Sequence, residues 1–263
     1  MMTESYAALA QLAARIAREV GGEIAVDDVS VVTWKKGRAN FATRADHRAE
    51  EEIVRRLAEA TPGVPVLAEE SATTPAPGGA LWVVDPIDGT LNFSRGIPFY
   101  CVVIAYTEER RTRAAAVYAP RTGELFVASE GGGATLNGAA IRIADPRPLA
   151  DCFVVTSLAF GAAARKNSTF IALNKTTARV RIVGSASLEI CYVAAGRFDL
   201  FVHGALWPWD IAAPWLIVRE AGGAVFDRDT GRGANAFARR VVVGHPKVVR
   251  DAVATLPELT RKG

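Results

Sequence analysis

Residues 81–93 read Leu81-Trp82-Val83-Val84-Asp85-Pro86-Ile87-Asp88-Gly89-Thr90-Leu91-Asn92-Phe93, and this stretch decides both the fold and the chemistry. An apolar run, short enough for a buried strand, ends in a carboxylate. Pro86 fixes the turn, a second carboxylate follows three residues later, and Gly89-Thr90 opens a helix. A helix start presents free backbone N–H groups at the positive end of its dipole, which suits a phosphate. Carboxylates beside an anion site make sense only if cations lie between them. Taken alone, the same pattern also fits two aspartates that cap a turn and a helix.

Other acidic residues stand at comparable places. Ala68-Glu69-Glu70-Ser71 follows another strand-like run, and Trp209-Asp210 opens a helix that runs to Glu220-Ala221-Gly222-Gly223. If Glu69, Asp85, Asp88 and Asp210 meet in one cleft, each close pair repels by about 4 kcal/mol at ~4 Å and an effective dielectric of about 20. Several such pairs rival the ~5–15 kcal/mol net stability of a domain, so the group must take up cations or protons. All-oxygen ligands without nearby His or Cys favour a hard ion, magnesium first.

The rest of the chain sets the frame. Its 263 residues suit one large domain or two small ones, and 50% hydrophobic with 22% charged residues is a globular balance. The net charge of +3 is spread out, with Lys35, Lys36, Arg38 and Arg44 the nearest approach to a basic patch. No stripe or reading motif for nucleic acid accompanies it, so no nucleic-acid partner is expected. Cys101, Cys152 and Cys191 sit in apolar text without a CxxC pair, which predicts reduced core thiols and a cytoplasmic protein. Residues 1–20 lack the uninterrupted apolar stretch of a signal peptide, and no run is long enough to span a bilayer.

Leu9, Leu12, Ile16 and Val20 recur at helical spacing until Gly21-Gly22, which predicts an opening amphipathic helix that stops there. Residues 33–43 read as a basic loop and residues 46–60 as a second helix. Strands are expected at 64–68, 81–85, 99–106, 114–118 and 124–129, the last two joined by a five-residue hairpin loop. A subdomain boundary near residue 150 divides the chain into residues 1–150 and 151–263. Beyond it, strands at 153–156, 179–183, 198–202 and 241–244 alternate with helices starting near Ser187, Trp209 and Pro246.

The segment 85–93, with Glu69-Glu70 before it and Trp209-Asp210 after it, resembles the inositol monophosphatase family of magnesium-dependent, lithium-sensitive phosphatases. The likeness also takes in Thr43-Arg44-Ala45-Asp46, Asn137-Gly138, Gly184-Ser185-Ala186 and residues 194–199, in order through nearly the whole chain. It implies a mixed α+β fold, a layered αβαβα sandwich of the inositol monophosphatase / fructose-1,6-bisphosphatase type, usually a homodimer. It also implies hydrolysis of small phosphate monoesters with two or three Mg2+ ions, for which Mn2+ can substitute. In that scheme Glu69, Asp85 and the carbonyl of Ile87 hold one metal, and Asp85, Asp88 and Asp210 hold the second. Thr90, bonded to Asp46, positions the attacking water, so Asp46, Glu69, Asp88 and Thr90 form the catalytic set. The amides of Gly89 and Thr90 take the phosphate beside Asp88. Gly184, Ser185, Ala186, His203 and Lys35 complete the substrate contacts. One ion acidifies water and the other steadies the leaving oxygen.

Two lookalikes fail on register. An Asp-x-Asp-Gly-Thr phosphatase needs an aspartate where Pro86 stands, and the Cys-x5-Arg spacing of Cys191 and Arg197 falls on the end of a buried helix. The sequence also departs from the family. His203 occupies a place where many inositol phosphatases carry a glutamate that grips ring hydroxyls, and a histidine offers no bidentate carboxylate. Myo-inositol 1-phosphate is therefore one substrate among several, with fructose 1,6-bisphosphate, histidinol phosphate and 3′-phosphoadenosine 5′-phosphate as alternatives on the same metal core. Ala68 replaces a common glycine. Arg165, Lys166 and Lys175 lie in the stretch where relatives differ most in the alcohol they accept, and Trp207, Trp209 and Trp215 are expected to pack the last helix. A non-catalytic phosphate-binding relative is the competing class, and the intact acidic set argues against it.

Overall fold

The structure, a computed structural model, describes residues 5–25, 32–34, 41–71, 79–156 and 168–259. Helix α1 (Tyr6–Ala25) buries the stripe of Leu9, Leu12, Ile16 and Val20 and then continues through Gly21-Gly22, where the sequence predicts a stop. The reason lies across the interface: a Cβ added to Gly21 would stand 2.6 Å from Cδ1 of Tyr118. Here glycine serves the close approach of a helix to a sheet rather than chain termination. Strands β1 (Val32–Trp34) and β2 (Phe41–Thr43) pair antiparallel within the segment expected to be a loop. Lys35 lies outside the described residues, as do Arg165 and Lys166. Helix α2 (Arg44–Ala60) follows, started by a capping box between Thr43 and Asp46.

A seven-stranded sheet comes next, in the order of the chain: β3 (Val66–Ala68), β4 (Ala80–Asp88), β5 (Cys101–Glu108), β6 (Arg111–Ala119), β7 (Glu124–Ser129), β8 (Gly133–Leu136) and β9 (Ala139–Ala140). Only β3 and β4 are parallel. The expected strand at 81–85 runs on to Asp88, and its register against β5 shifts between Asp85 and Asp88. Pro86 cannot donate to a ladder, so a bulge is where it fits, and the bulge re-aims the flanking carboxylates. The short helix α3 (Thr90–Ser94) turns the chain back.

The second sheet holds β10 (Phe153–Thr156), β11 (Arg179–Arg181), β12 (Leu200–His203), β13 (Ala224–Asp227), β14 (Arg232–Gly233) and β15 (Val241–Gly244), in the order β11-β10-β12-β15-β13-β14. β10 is parallel to both of its neighbours, and the other pairs are antiparallel. β11 ends at Arg181 rather than at 183 because the amides of Val183 and Gly184 bond to Glu189 instead of a strand. Helix α4 (Ser168–Thr176) precedes β11, α5 (Ala186–Ala194) follows it, and α6 (Pro208–Glu220) and α7 (Pro246–Thr255) complete the chain.

Contacts between elements stack these parts into five layers: α1 and α2, the seven-stranded sheet, α5 and α6, the six-stranded sheet, then α4 and α7. The fold is the αβαβα sandwich expected. Middle-layer α6 is apolar on nearly every side, with Ile211, Ala212, Leu216, Ile217 and Val218 all buried, as a helix between two sheets must be. Trp209 and Trp215 pack with it, whereas Trp207 is 51% exposed, stacked on Trp209 and covered by the Arg239 guanidinium. All three cysteines are free and buried. Among the described residues no helix is long and apolar enough to cross a membrane.

Candidate metal centre

Two chain segments deliver acids to one place. Asp85 and Asp88 flank the β4 bulge, and Asp210 occupies the first turn of α6. One oxygen from each lies within 4.8 Å of the others. Their remaining bonds fix the side chains: Asp85 Oδ1 accepts from the Ile87 amide (3.0 Å), and Asp210 Oδ2 accepts from the Trp207 amide (2.7 Å). Asp88 Oδ2 accepts from the Ser185 hydroxyl (2.8 Å) and the Ser187 amide (2.6 Å) at the start of α5. The bulge thus aims two acids, and the N-termini of α5 and α6 steady one each.

Two ionised oxygens at this separation repel by ~3 kcal/mol or more at an effective dielectric of about 20. Among the described residues no Lys or Arg forms an ion pair with any of the three. The proton affinity records the result. Burial, then the charge of Glu69, holds the Asp85 carboxyl well above the usual range. Burial, then Asp88, pushes Asp210 up to about 8. Burial also raises Asp88, against the opposing bonds from Ser185 and Ser187. The donor set fits a hard divalent cation: buried, all oxygen, with no neighbouring imidazole.

Glu69 stands outside this triad, at the end of β3, close enough to feel it. Burial, then Asp210, holds its carboxyl well above the ordinary value. The turn carrying it is pinned by Glu50 Oε2, which accepts the Glu70 amide at 2.7 Å. Asp46 is buried at the start of α2. Its Oδ2 accepts from the Thr43 amide (2.7 Å) and hydroxyl, while Oδ1 accepts from the Thr90 hydroxyl at 3.1 Å. Burial raises its proton affinity, and the Thr43 bonds oppose that. The Thr90 hydroxyl also lies 3.1 Å from the carbonyl of Ile87, so Asp46, Thr90 and Ile87 form one chain of contacts. Gly89 has φ +99, and a Cβ there would stand 3.1 Å from the Phe99 carbonyl. Only glycine makes this turn without strain.

The remaining sites separate into two groups. Ser185 faces Asp88, and the Gly184 amide is taken by Glu189 at 3.0 Å, so these donors already serve protein carboxylates. Ala186 begins α5 beside them. His203 ends β12, and no described hydrogen bond joins it to the acidic triad. Its Nδ1 accepts the Ala205 amide at 3.0 Å, and its ring stacks on Phe201. Burial, then Arg228, pushes its pKa down to about 4, so the ring is neutral and carries its proton on Nε2. Cys191 is fully buried, and burial holds its thiol well above its ordinary range, while Arg197 pairs with Glu124. A phosphate-cradling Cys-x5-Arg loop is not formed.

Sequence reasoning passed over Glu50, Asn92, Ser187 and Glu189, the side chains and amide that hold the acidic turns. The spacing of Glu50, four residues after Asp46 on one helical face, is the one signal that could have found any of them.

The sequence model of the inositol monophosphatase family matches residues 1–259. A Thermotoga maritima protein named fructose-1,6-bisphosphatase/inositol-1-monophosphatase is 37% identical over 235 residues, 89% of either chain. The Escherichia coli K12 protein named Nus factor SuhB is 38% identical over 253 residues, covering 93% of this chain and 94% of that one. The crystal structure of the extragenic suppressor protein suhB from Bartonella henselae superposes with a TM-score of 0.87 at 32% identity, over 97% of this chain and 99% of that one. With the layered fold, the bulged acidic strand and these matches together, the chain belongs to the inositol monophosphatase family.

Proposed function

We propose that the chain is a magnesium-dependent phosphatase acting on small phosphate monoesters of polyols or sugars. The observation that carries this reading is the triad of Asp85, Asp88 and Asp210, one oxygen of each within 4.8 Å of the others, with no cationic side chain paired to them among the described residues. Residues Glu69, Asp85, Asp88, Asp210 and the Ile87 carbonyl would hold the ions. Bound there, divalent cations would supply charge neutralisation for the ester and a lowered pKa for water.

The chain's own residues do the rest. Thr90, bonded to Asp46, orients the attacking water through its hydroxyl lone pairs, and Asp46 is the acceptor that relays the proton. The amides of Gly89 and Thr90 would take the ester phosphate, which the dipole of the turn favours. The neutral His203 would offer its Nε2–H as a donor to the alcohol, where a carboxylate would instead accept from ring hydroxyls. That difference favours esters whose alcohol carries an acceptor, including a second phosphate as in the name of the Thermotoga relative. A homodimer belongs to the same proposal, and the exposed apolar side chains Leu91, Ile97 and Ile182 are surface that a second copy would cover.

A panel of inositol 1-phosphate, fructose 1,6-bisphosphate, histidinol phosphate and 3′-phosphoadenosine 5′-phosphate, with phosphate release as readout, tests the reading. Turnover of at least one at millimolar magnesium, abolished by chelation, is expected. No turnover of any favours the second reading, a non-catalytic role, which the name of the Escherichia coli relative brings forward.

A further inference from the structure

Glu189 lies in the first turn of α5, fully buried, and serves none of the steps above. Its Oε1 accepts from two successive amides, Val183 at 2.8 Å and Gly184 at 3.0 Å. Its Oε2 is buried without a hydrogen-bond partner. A carboxyl buried with one oxygen unmatched destabilises a fold, so its presence is explained by what the other oxygen holds.

What it holds is a turn gripped from two sides. The carbonyl of the same Val183 accepts from Asn92 Nδ2 at 2.9 Å, and Asn92 also donates to the Phe99 carbonyl at 2.8 Å. Gly184 has φ +98, and a Cβ there would stand 3.2 Å from Asn92 Nδ2, so the turn is pressed against that side chain. Asn92 sits on α3, four residues after Asp88. The chain leaving the turn delivers the Ser185 hydroxyl and the Ser187 amide to Asp88 Oδ2 at 2.8 and 2.6 Å. A short covalent path therefore links the Glu189 bonds to the orientation of one acid of the triad.

We propose that Glu189 is a positioning residue: by accepting from the amides of Val183 and Gly184 it fixes the turn whose next residues hold Asp88 in its metal-binding orientation. The proposal rests on the metal-centre reading above for its functional consequence. It assigns the effect to hydrogen bonding and not to the charge of the carboxyl.

Three variants of the full chain separate these. Glu189→Gln keeps an acceptor at the same reach without an ionisable carboxyl, Glu189→Asp keeps the carboxyl but withdraws the acceptor by one methylene, and Glu189→Leu removes the acceptor. The readouts are Mn2+ binding by titration calorimetry and amide hydrogen exchange across residues 180–190 of the metal-free chain. Glu189→Gln should bind Mn2+ like the parent. Glu189→Asp and Glu189→Leu should bind about tenfold or more weakly, the size of one or two lost hydrogen bonds, and exchange faster at residues 183 and 184.

If Glu189→Leu fails to fold, the order of Gln against Asp decides. Equal binding by all variants overturns the proposal while leaving the metal centre standing, and so does the reverse order, with Asp intact and Gln impaired. A parent that binds no Mn2+ overturns the metal-centre reading, and with it the functional half of the proposal. The exchange order then decides whether Glu189 holds the turn.

Discussion

Burial and the charges of Glu69, Asp88, Asp210 and Asp46 all raise the proton affinity of Asp85. Its charge is therefore a cost that a bound proton or a bound cation removes. Asp85→Asn should reduce metal-dependent phosphate release by ~10² or more, the scale set by losing one preorganised charge contact. The same change should leave the metal-free chain more stable, by about 1 kcal/mol or ~2 °C in Tm. A thermal melt in chelator checks this, and a lower Tm than the parent contradicts the repulsion argument. His203 is tested by exchange of one hydrogen-bonding sense for another. His203→Glu can still accept the Ala205 amide, and it should raise kcat/KM for inositol phosphates relative to the other esters of the panel. An unchanged ratio would show that the alcohol does not meet this side chain.

At the scale of elements, the paired glycines of α1 give a sharp contrast. Gly22 has nothing near its missing Cβ, whereas Gly21 faces the Tyr118 ring at 2.6 Å. Gly22→Ala should stabilise the chain by ~0.5–1 kcal/mol through helix propensity, while Gly21→Ala should destabilise it by a comparable amount because the helix must move off the sheet. Urea denaturation of both checks the pair, and equal shifts would contradict the packing account. These glycines also mark the limit of sequence reading. Gly-Gly after a periodic run is a stop signal by propensity, and only the ring of Tyr118, nearly a hundred residues away in sequence, converts it into a contact. The bulged strand was legible because its apolar run, proline and two acids are local. β8 and β9 were not legible, because both are very short and the glycines and asparagine beside them mark turns. Asp85, Asp88 and Asp210 were legible as acids at element ends. Glu189 was not, because a lone glutamate in a helix reads as surface until the turn it holds is in place.

For the whole molecule, burying so many acids between two sheets ties stability to pH and to metal. Asp210 and Glu189 are both pushed up to about 8, and Asp85 and Glu69 are raised as well. Unfolded carboxylates release their protons near ~4, so between that value and 8 the folded chain holds more protons than the unfolded one and loses stability as pH rises. His203 acts in the opposite sense. Held down to about 4 when folded, it adds stability as pH rises toward its unfolded value of ~6.5 and nothing further above that. The window from ~6.5 to 8 therefore isolates the acids. The metal-free Tm should fall across it, and saturating magnesium chloride should reduce the fall to the part that Glu189 contributes. A metal-free Tm that is flat or rising there would contradict this account. The most direct test is crystallographic: soak crystals of the chain in manganese chloride and collect anomalous diffraction. Peaks should appear between the carboxylates of Asp85, Asp88 and Asp210, with Glu69 beside them. Ordered carboxylates with no peak among them at millimolar manganese would contradict it.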